Sequence, residues 1–525
     1  MPNPGAVNPN RQALHQAVQL HQQGRFDEAE RLYRQVLQTE PRHPDALHLL
    51  GLIEHQRGNQ DAAQSLMDRA LMIKPGEPTF LVNLSQVHRA RQRYSEAEQC
   101  LRRAIAAQPR LAEAHSNLAS VLRHQKRLDE AEAAARQALS LNPKFGNAML
   151  NLGTVLEDRG DFEAAIGWFA QALKNGATRH DVLNNLGDAL CCLGRWEEGR
   201  QALEEAVQAA PLKPLTHWNL SLAYLVHGDY LRGFAEHEWR LRQPGAETSR
   251  FTQPMWAGES LEGKTILLHM EQGYGDAIQF ARYVPLIAQR GGSVLIESHP
   301  QLIRLLGTVD GVKQVILRGQ PLPPFDVQAP LLSLPYLFGT TLETIPASIP
   351  YLRADPDAVA AWKPCIPREA AVRNIGLAWS GNPTHRNDRN RSLRPEQLAP
   401  LASVKNVRWF NLQVGSTIQT PPPGLEWIDL TSGIHDFADT AAVISQLDLV
   451  ISVDTATAHL AGALGRPVWV LLPLVPDWRW LLHRPDSPWY PSARLFRQPR
   501  AGDWASVIAQ ISAELSNPSR GPFAS

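Results

Sequence analysis

A period of 34 residues runs through the first half of this 525-residue chain and constrains its fold more than any other feature. Pro41, Pro75, Pro109 and Pro143 stand 34 apart, Ala177 takes the next place, and Pro211 resumes the register. Ala29, Ala63, Ala97, Ala131 and Ala165 keep the same interval, continued by Gly199 and Gly233. A third column holds Gly24, Gly58, Gly160, Gly194 and Gly228, with Gln92 and Lys126 in the two intervening places. Small residues where helices touch, glycine at the turn between them and proline after the second make a helix pair the repeating unit. About six full repeats and a modified seventh fill residues 1–240. One pair cannot bury its apolar face alone, so the pairs stack into an α-solenoid, a superhelix with a long concave face.

One more column bears on function. Asn83, Asn117, Asn151, Asn185 and Asn219 recur at the same interval, each followed by leucine, inside the first helix of successive repeats. An asparagine amide offers donors and an acceptor, so such a ladder is suited to hold an extended polypeptide by its backbone whatever its sequence. The alternative is that each amide bonds only to the neighbouring helix.

Lysine plus arginine and aspartate plus glutamate balance at 52 each, which leaves neither a basic field for nucleic acid nor an acidic tail. No run reaches the length of a membrane span, and MPNPGAVNPNRQALHQ lacks the charged-then-apolar order of a signal peptide, so a cytoplasmic location is expected. Cys100, Cys191, Cys192 and Cys365 show no zinc spacing.

The pattern changes after residue 240. A joint at 241–263 is expected to be fixed, with Trp239 and Trp256 docking the end of the solenoid on the next domain. Residues 264–360 and 361–500 then read as two α/β lobes. Strands are expected at Thr265–Met270, Ser293–Glu297, Val312–Leu317 and Val327–Leu334 in the first lobe. Asn374–Trp379, Val407–Leu412 and Leu425–Leu430 are the strands expected in the second, and the apolar spacing of AIQFARYVPLIAQR predicts a helix. Leu449–Leu472, LVISVDTATAHLAGALGRPVWVLL, has the rhythm of strand, crossover helix and parallel strand. Thr455, Ala456 and Thr457 thereby fall where a helix starts beyond the carboxyl end of a strand, where free N–H groups attract phosphate. Residues 501–525 read as a closing helix from Trp504 to Leu515 and a loose tail.

The motifs Gly275-Asp276, Trp379-Ser380-Gly381-Asn382 with Arg391 beyond, and Asp454-Thr455-Ala456-Thr457-Ala458-His459 carry a resemblance. The repeats match the tetratricopeptide pattern, and the second half resembles the heptosyltransferase-related GT-B glycosyltransferases, whose catalytic region is two Rossmann-like lobes. The whole layout is similar to O-linked N-acetylglucosamine transferases and bacterial flagellin glycosyltransferases. In heptosyltransferases the last motif reads D-T-G-x-x-H, so Ala456 departs from it. The resemblance implies a nucleotide-sugar co-substrate without another cofactor, an inverting and metal-independent transfer, a first lobe on the acceptor side, and a polypeptide acceptor such as flagellin.

Glycosyl transfer needs a base for the acceptor proton and a cradle for the departing phosphate. Asp276 matches the catalytic aspartate of the resembling enzymes, and is alternatively a helix N-cap with a lowered pKa. His269 and Glu271, at the same strand end, are the substitutes. The donor side comprises Ser380, Asn382, Arg391, Gln413, Asp454, Thr455, Ala456, Thr457 and His459, with Arg391 matching a heptosyltransferase lysine and Gln413 placed for the ribose or base. Asp454 and His459 alternatively brace the loop by bonding to each other. The polar loop from His385 to Arg391 is either a diphosphate clamp or solvated surface. Asp355-Pro356-Asp357 has the D-x-D form of a metal site but lies among prolines and reads as an interlobe turn. Pro476-Asp477-Trp478-Arg479-Trp480 with Trp489-Tyr490 either stacks on a ligand or seals the core. Two other functions fit the same sequence: a transferase to saccharides or lipid-linked glycans, and a scaffold with a degenerate catalytic region.

Overall fold

The computed structural model describes residues 9–246, 250–384, 387–415 and 421–517. The tail beyond Asn517, and His385 and Arg386 of the polar loop, lie outside the described residues. The chain divides into two compact units, Met1–Pro211 and Leu212–Ser525.

The first unit is the helical array that the period implies. Twelve helices from Pro9–Gln22 to Trp196–Ala209 succeed one another in pairs such as Pro44–Gln56 and Gln60–Ile73. Ala29, Ala63, Ala97, Ala131 and Ala165 are fully buried, so this column is the line along which helices meet. In its next place even alanine is too large, because a Cβ on Gly199 would sit 2.5 Å from Cys191 Sγ. The turn column keeps its left-handed backbone without glycine: φ is 58° at Gln92 and 63° at Lys126, against 76° at Gly24. Each of those two residues costs about 1–2 kcal/mol that glycine avoids. One apolar cluster runs from Leu47 to Ala189 across successive repeats, which makes the array a continuous core.

The second unit begins with the seventh helix pair, Pro214–Val226 and Tyr230–His237. Its aromatic residues pack within that unit, where Trp489 Nε1–H donates to the Tyr230 hydroxyl at 2.8 Å and Trp478 meets Phe234 edge-on at 5.6 Å. The compact unit therefore starts earlier than the change of composition near residue 240. Trp239 stacks on His217 at 3.8 Å, inside the same helix pair's surroundings. Trp256, expected beside it at the joint, is instead buried in the first lobe, 5.8 Å from Phe338, with its indole N–H on Glu259 O.

Two parallel sheets make up the rest of this unit. The first contains β1 (Thr265–His269), β2 (Ser293–Ser298), β3 (Val312–Leu317) and β4 (Val327–Pro330) in the order β3-β2-β1-β4. The second contains β5 (Arg373–Ala378), β6 (Val407–Asn411), β7 (Trp427–Asp429), β8 (Leu449–Val453), β9 (Val468–Leu472) and β10 (Ala493–Arg497) in the order β10-β9-β8-β5-β6-β7. Strand β8 is buried along its whole length, as a central parallel strand covered on both faces must be. Edge strand β10 is not anticipated from the sequence, where Arg494 and Arg497 interrupt a short apolar run. The strand expected up to Leu334 ends at Pro330, where the chain turns through Leu331–Ser333.

Four helices matter for the site: α1 (Tyr274–Phe280), α2 (Phe437–Ile444), α3 (Ala456–Ala463) and α4 (Trp504–Ser516). The long helix expected from Ala277 to Arg290 is broken at Ala281–Tyr283 and restarts at Val284 with Pro285 in its first turn, where a missing N–H is harmless. Helix α4 buries Trp504, Val507, Ile508, Ile511 and Leu515, one face at helical spacing. Asp355 accepts N–H groups of Asp357 and Ala358 and caps the helix Pro356–Trp362, so the D-x-D motif is a helix start. Among the described residues no helix is long and apolar enough to cross a membrane.

Candidate functional site

Strand order locates the candidate site. In the second sheet the connections from β5 run outward through β6 to β7, while those from β8 run the other way through β9 to β10. The carboxyl ends of β5 and β8 thus flank a topological switch point, the crevice in which open α/β sheets bind ligands. Trp379 to Asn382 leave β5 there, and Asp454 to Thr457 leave β8.

Helix α3 opens onto this crevice. Thr455 is its N-cap with extended backbone, and its hydroxyl pairs with Ser452 Oγ at 3.1 Å and caps no N–H. The Thr455 carbonyl accepts from Ala458 and His459, while the N–H groups of Ala456 and Thr457 have no protein acceptor among the described residues. Thr455, Ala456 and Thr457 are half-buried, so these donors remain accessible. Unpaired N–H groups and the helix dipole suit this helix start, the α3 cradle, to an anion.

The β5 turn is shaped from within. Gln413 Oε1 accepts the N–H groups of Trp379 at 3.0 Å and Ser380 at 2.9 Å and so holds the turn. Asn382 Oδ1 accepts the N–H and hydroxyl of Thr384, a local turn. A Cβ on Gly381 would come within 2.5 Å of Asp388 Oδ1 and 2.6 Å of Arg391 Nη2, so a side chain there would push both groups aside. Arg391 Nη1 then donates to Asp454 O at 3.0 Å, which brings a cation to the foot of α3.

Beneath the cradle lies a buried charged cluster that sequence reasoning catches only in part. Arg479 pairs with Asp276, donates to Asp477 at 2.8 Å and to Gln279 Oε1 at 2.7 Å. Asp276 is the third residue of α1, not its cap: Gly273 holds the cap position and donates its N–H to Asp276 Oδ2 at 3.0 Å. Burial pushes the Asp276 carboxyl above its ordinary pKa, against the pull of Arg479. Asp454 rises to about 6, through burial first and then the neighbouring Asp477 charge. His459 does not hydrogen-bond to Asp454, from which Nε2 stands 3.9 Å; its Nδ1 meets the Tyr490 hydroxyl at 2.9 Å and its ring stacks on Trp480. Burial drives its pKa down to about 3, so the imidazole is neutral. A Cβ on Gly275 would lie 2.9 Å from His459 Cδ2, and this contact explains the glycine of the Gly-Asp motif: α1 and α3 abut there.

Two arginines to which the sequence reading gives no role of their own meet at Gln279, Arg479 in the cluster and Arg282 beside it. Arg479 lies in the ring-rich segment, whose Trp478, Trp480, Trp489 and Tyr490 are buried as core. Arg282 is also buried and donates to Trp489 O at 2.7 Å and the Tyr351 hydroxyl at 3.1 Å. The only hint of the first in the sequence is a charge among tryptophans, and of the second a charge inside an apolar helical run.

His269 ends β1 outside this cluster, with Nε2 2.8 Å from Gln328 Oε1, and burial lowers its pKa. Glu271 is taken by Arg240 at 2.8 Å. In the repeats, Asn83 Nδ2 meets His48 Nε2 at 2.9 Å, Asn151 donates to Ser116, and Asn185 accepts from Asn184. These three bond to neighbouring helical residues, whereas Asn117 Nδ2 is buried without a partner among the described residues. Asn219 falls in the second unit, on the helix Pro214–Val226.

Residues 1–221 match the model of the cilia and flagella-associated protein 70 C-terminal domain, and residues 426–472 that of glycosyltransferase family 9 (heptosyltransferase). The second match spans β7 to β9 and so includes the α3 cradle. Protein FlbA of Caulobacter vibrioides is 28% identical over 314 residues, which cover 54% of this chain and 52% of FlbA. The chain thus spans about half the length of this curated relative. Among solved structures, PilW, a widely conserved type IV pilus biogenesis factor, is 19% identical with a TM-score of 0.36, covering 40% of this chain and 98% of its own. MamA is 24% identical with a TM-score of 0.27, covering 30% and 93% respectively. A tetratricopeptide-type N-terminal region followed by a glycosyltransferase-like α/β region is the layout of this chain.

Proposed function

We propose that this chain is a protein O-glycosyltransferase, which moves a sugar from a nucleotide-sugar donor to a serine or threonine hydroxyl of a polypeptide recruited by the repeats. The observation that carries the reading is the open start of α3 at the β5/β8 switch point, with Arg391 at its foot. Unpaired N–H groups and a guanidinium are what a departing diphosphate requires. In the step, the acceptor oxygen bonds to the anomeric carbon as the bond from that carbon to the phosphate oxygen breaks. The nucleoside diphosphate leaves into the α3 cradle, and the hydroxyl proton passes to Asp276, whose raised pKa suits a base. Arg479 keeps Asp276 at the head of α1 and balances its charge when ionised. Inversion at the anomeric carbon and flagellin as acceptor rest on resemblance to known enzymes.

The test is to incubate the purified full chain with a panel of nucleotide sugars and flagellin and to measure intact mass. A mass gain of one sugar supports the proposal; no gain with any donor, together with no donor hydrolysis, sinks it.

A further inference from the structure

The apolar run after Asp276 breaks at Ala281–Tyr283, and the break holds Arg282, a cation only 3% exposed to solvent. A charge taken so far from water persists only where its donors are satisfied. Four bonds satisfy this one, and they reach three separate segments. Nε donates to Gln279 O at 2.8 Å, on the helix α1 that carries Asp276. Nη1 donates to Trp489 O at 2.7 Å, in the second lobe, and to Pro346 O at 3.3 Å, in the chain that passes from β4 to β5. Nη2 donates to the Tyr351 hydroxyl at 3.1 Å in that same passage.

The surroundings of Arg282 are themselves tied to α1 and α3. The Tyr351 hydroxyl donates onward to Ile278 O at 3.0 Å, while the Tyr351 N–H donates to Ala463 O, at the end of α3, at 3.1 Å. Tyr490, next to Trp489, has its ring centroid 4.7 Å from the guanidinium carbon, and its hydroxyl meets His459 on α3. A Cβ on Gly462 would sit 2.4 Å from that ring, so Tyr490 lies directly on the helix. Parting the lobes would pull Arg282 from Trp489 O or from Gln279 O and leave a buried cation with unpaired donors. The rim is tied as well: Arg304 of the first lobe meets Asp436 and Asp439 of the second at 3.1 and 3.0 Å, and Tyr274 meets Phe437 edge-on at 5.3 Å.

We propose that Arg282 is a positioning residue, which pins the two lobes into one body and so fixes the separation of Asp276 from the α3 start before any ligand arrives. The cleft is built at its working width and does not close around its ligands. That Asp276 and the α3 start act as base and cradle rests on the function proposed above; the pin does not. Lysine cannot stand in for Arg282, because an ammonium is a point charge and does not span acceptors set around a planar fork.

The experiment measures the distance between spin labels at Lys313→Cys in the first lobe and Arg500→Cys in the second, both exposed positions, by double electron–electron resonance. The full chain is used, with Cys192→Ser and Cys365→Ser removing the two cysteines that are not buried. The expected result is one narrow distance that UDP, GDP and ADP each shift by less than about 2 Å. In Arg282→Lys and in Tyr351→Phe the distribution should broaden towards longer distances. Tyr351→Phe keeps the ring and loses only the hydroxyl, so it decides the matter if Arg282→Lys does not fold. A larger shift with nucleotide in the labelled parent, or a distribution unchanged in either folded variant, overturns the proposal. Calorimetric titration with the same nucleotides is read beside it. If none binds, the glycosyltransferase reading falls and the variants alone judge the pin; if one binds and the distance moves, the pin falls and that reading stands. Where the flagellin assay registers transfer, Tyr351→Phe should lower kcat at least about tenfold with nucleotide affinity unchanged. Affinity and turnover falling together would count against a positioning role.

Discussion

At the residue scale, the buried cluster sets a pH dependence whose sign comes from two groups. Asp454 is raised from 3.8 to about 6, so the folded state holds a proton that the unfolded state has lost, and stability falls as pH rises between those values. Asp454→Asn is expected to stabilise the fold by up to about 3 kcal/mol at pH 7.5 and by nothing near pH 3.5, as urea denaturation at the two values would show. His459 works in the other direction. Its pKa falls to about 3, so its contribution is whole above 6.5 and is lost as pH drops through that window. Gly275→Ala should cost about 1–3 kcal/mol by overpacking against His459, readable as a lowered denaturation midpoint with an unchanged slope. Of these residues, Asp454 and His459 are legible in the sequence because they belong to the strand, turn and helix pattern of Leu449–Leu472, and Asp276 through the Gly275-Asp276 motif that carries the resemblance. Arg479 is not, because its partner Asp276 stands 203 positions away and no local pattern links them.

At the element scale, α3 offers a test that separates fold from function. Ala456 occupies the first helical position, where a carboxylate is favoured by the helix dipole. Ala456→Asp should therefore leave thermal stability unchanged or slightly raised, yet weaken binding of a nucleoside diphosphate by at least about tenfold through repulsion at close range. Calorimetric titration beside a melting curve would decide it, and undiminished binding would count against the cradle. The strands around this helix are readable because β8 and β9 are continuous apolar runs rich in branched residues. Strand β10 escapes notice because Arg494 and Arg497, three positions apart and so on opposite faces, break both the apolar run and the alternation by which a strand is read. The helix after Asp276 looks longer in the sequence than it is, because apolar spacing persists through Pro285 even where the backbone does not.

At the scale of the molecule, the boundary after Pro211 makes a claim about fragments. Residues 212–525 should give a soluble protein with one cooperative melting transition, because the seventh helix pair supplies Tyr230 and Phe234 to the aromatic packing around Trp478 and Trp489. A fragment starting at residue 241 leaves that surface bare and should aggregate, measured by light scattering at equal concentration. Composition cannot reveal this, since the seventh pair keeps the 34-residue register of its predecessors while packing with a different partner. The repeat itself is legible throughout, down to the turn column that Gln92 and Lys126 keep left-handed.

The pair between Asp276 and Arg479 has a consequence during synthesis. A ribosome adding about 5–20 residues per second needs roughly 10–40 s to travel the 203 positions between them. For that interval the nascent first lobe carries its acid without the cation that the finished protein gives it. The contact between Asp276 and Arg479 is therefore among the last that the growing chain can complete, and a message truncated before Arg479 leaves the first lobe's acid without its cation.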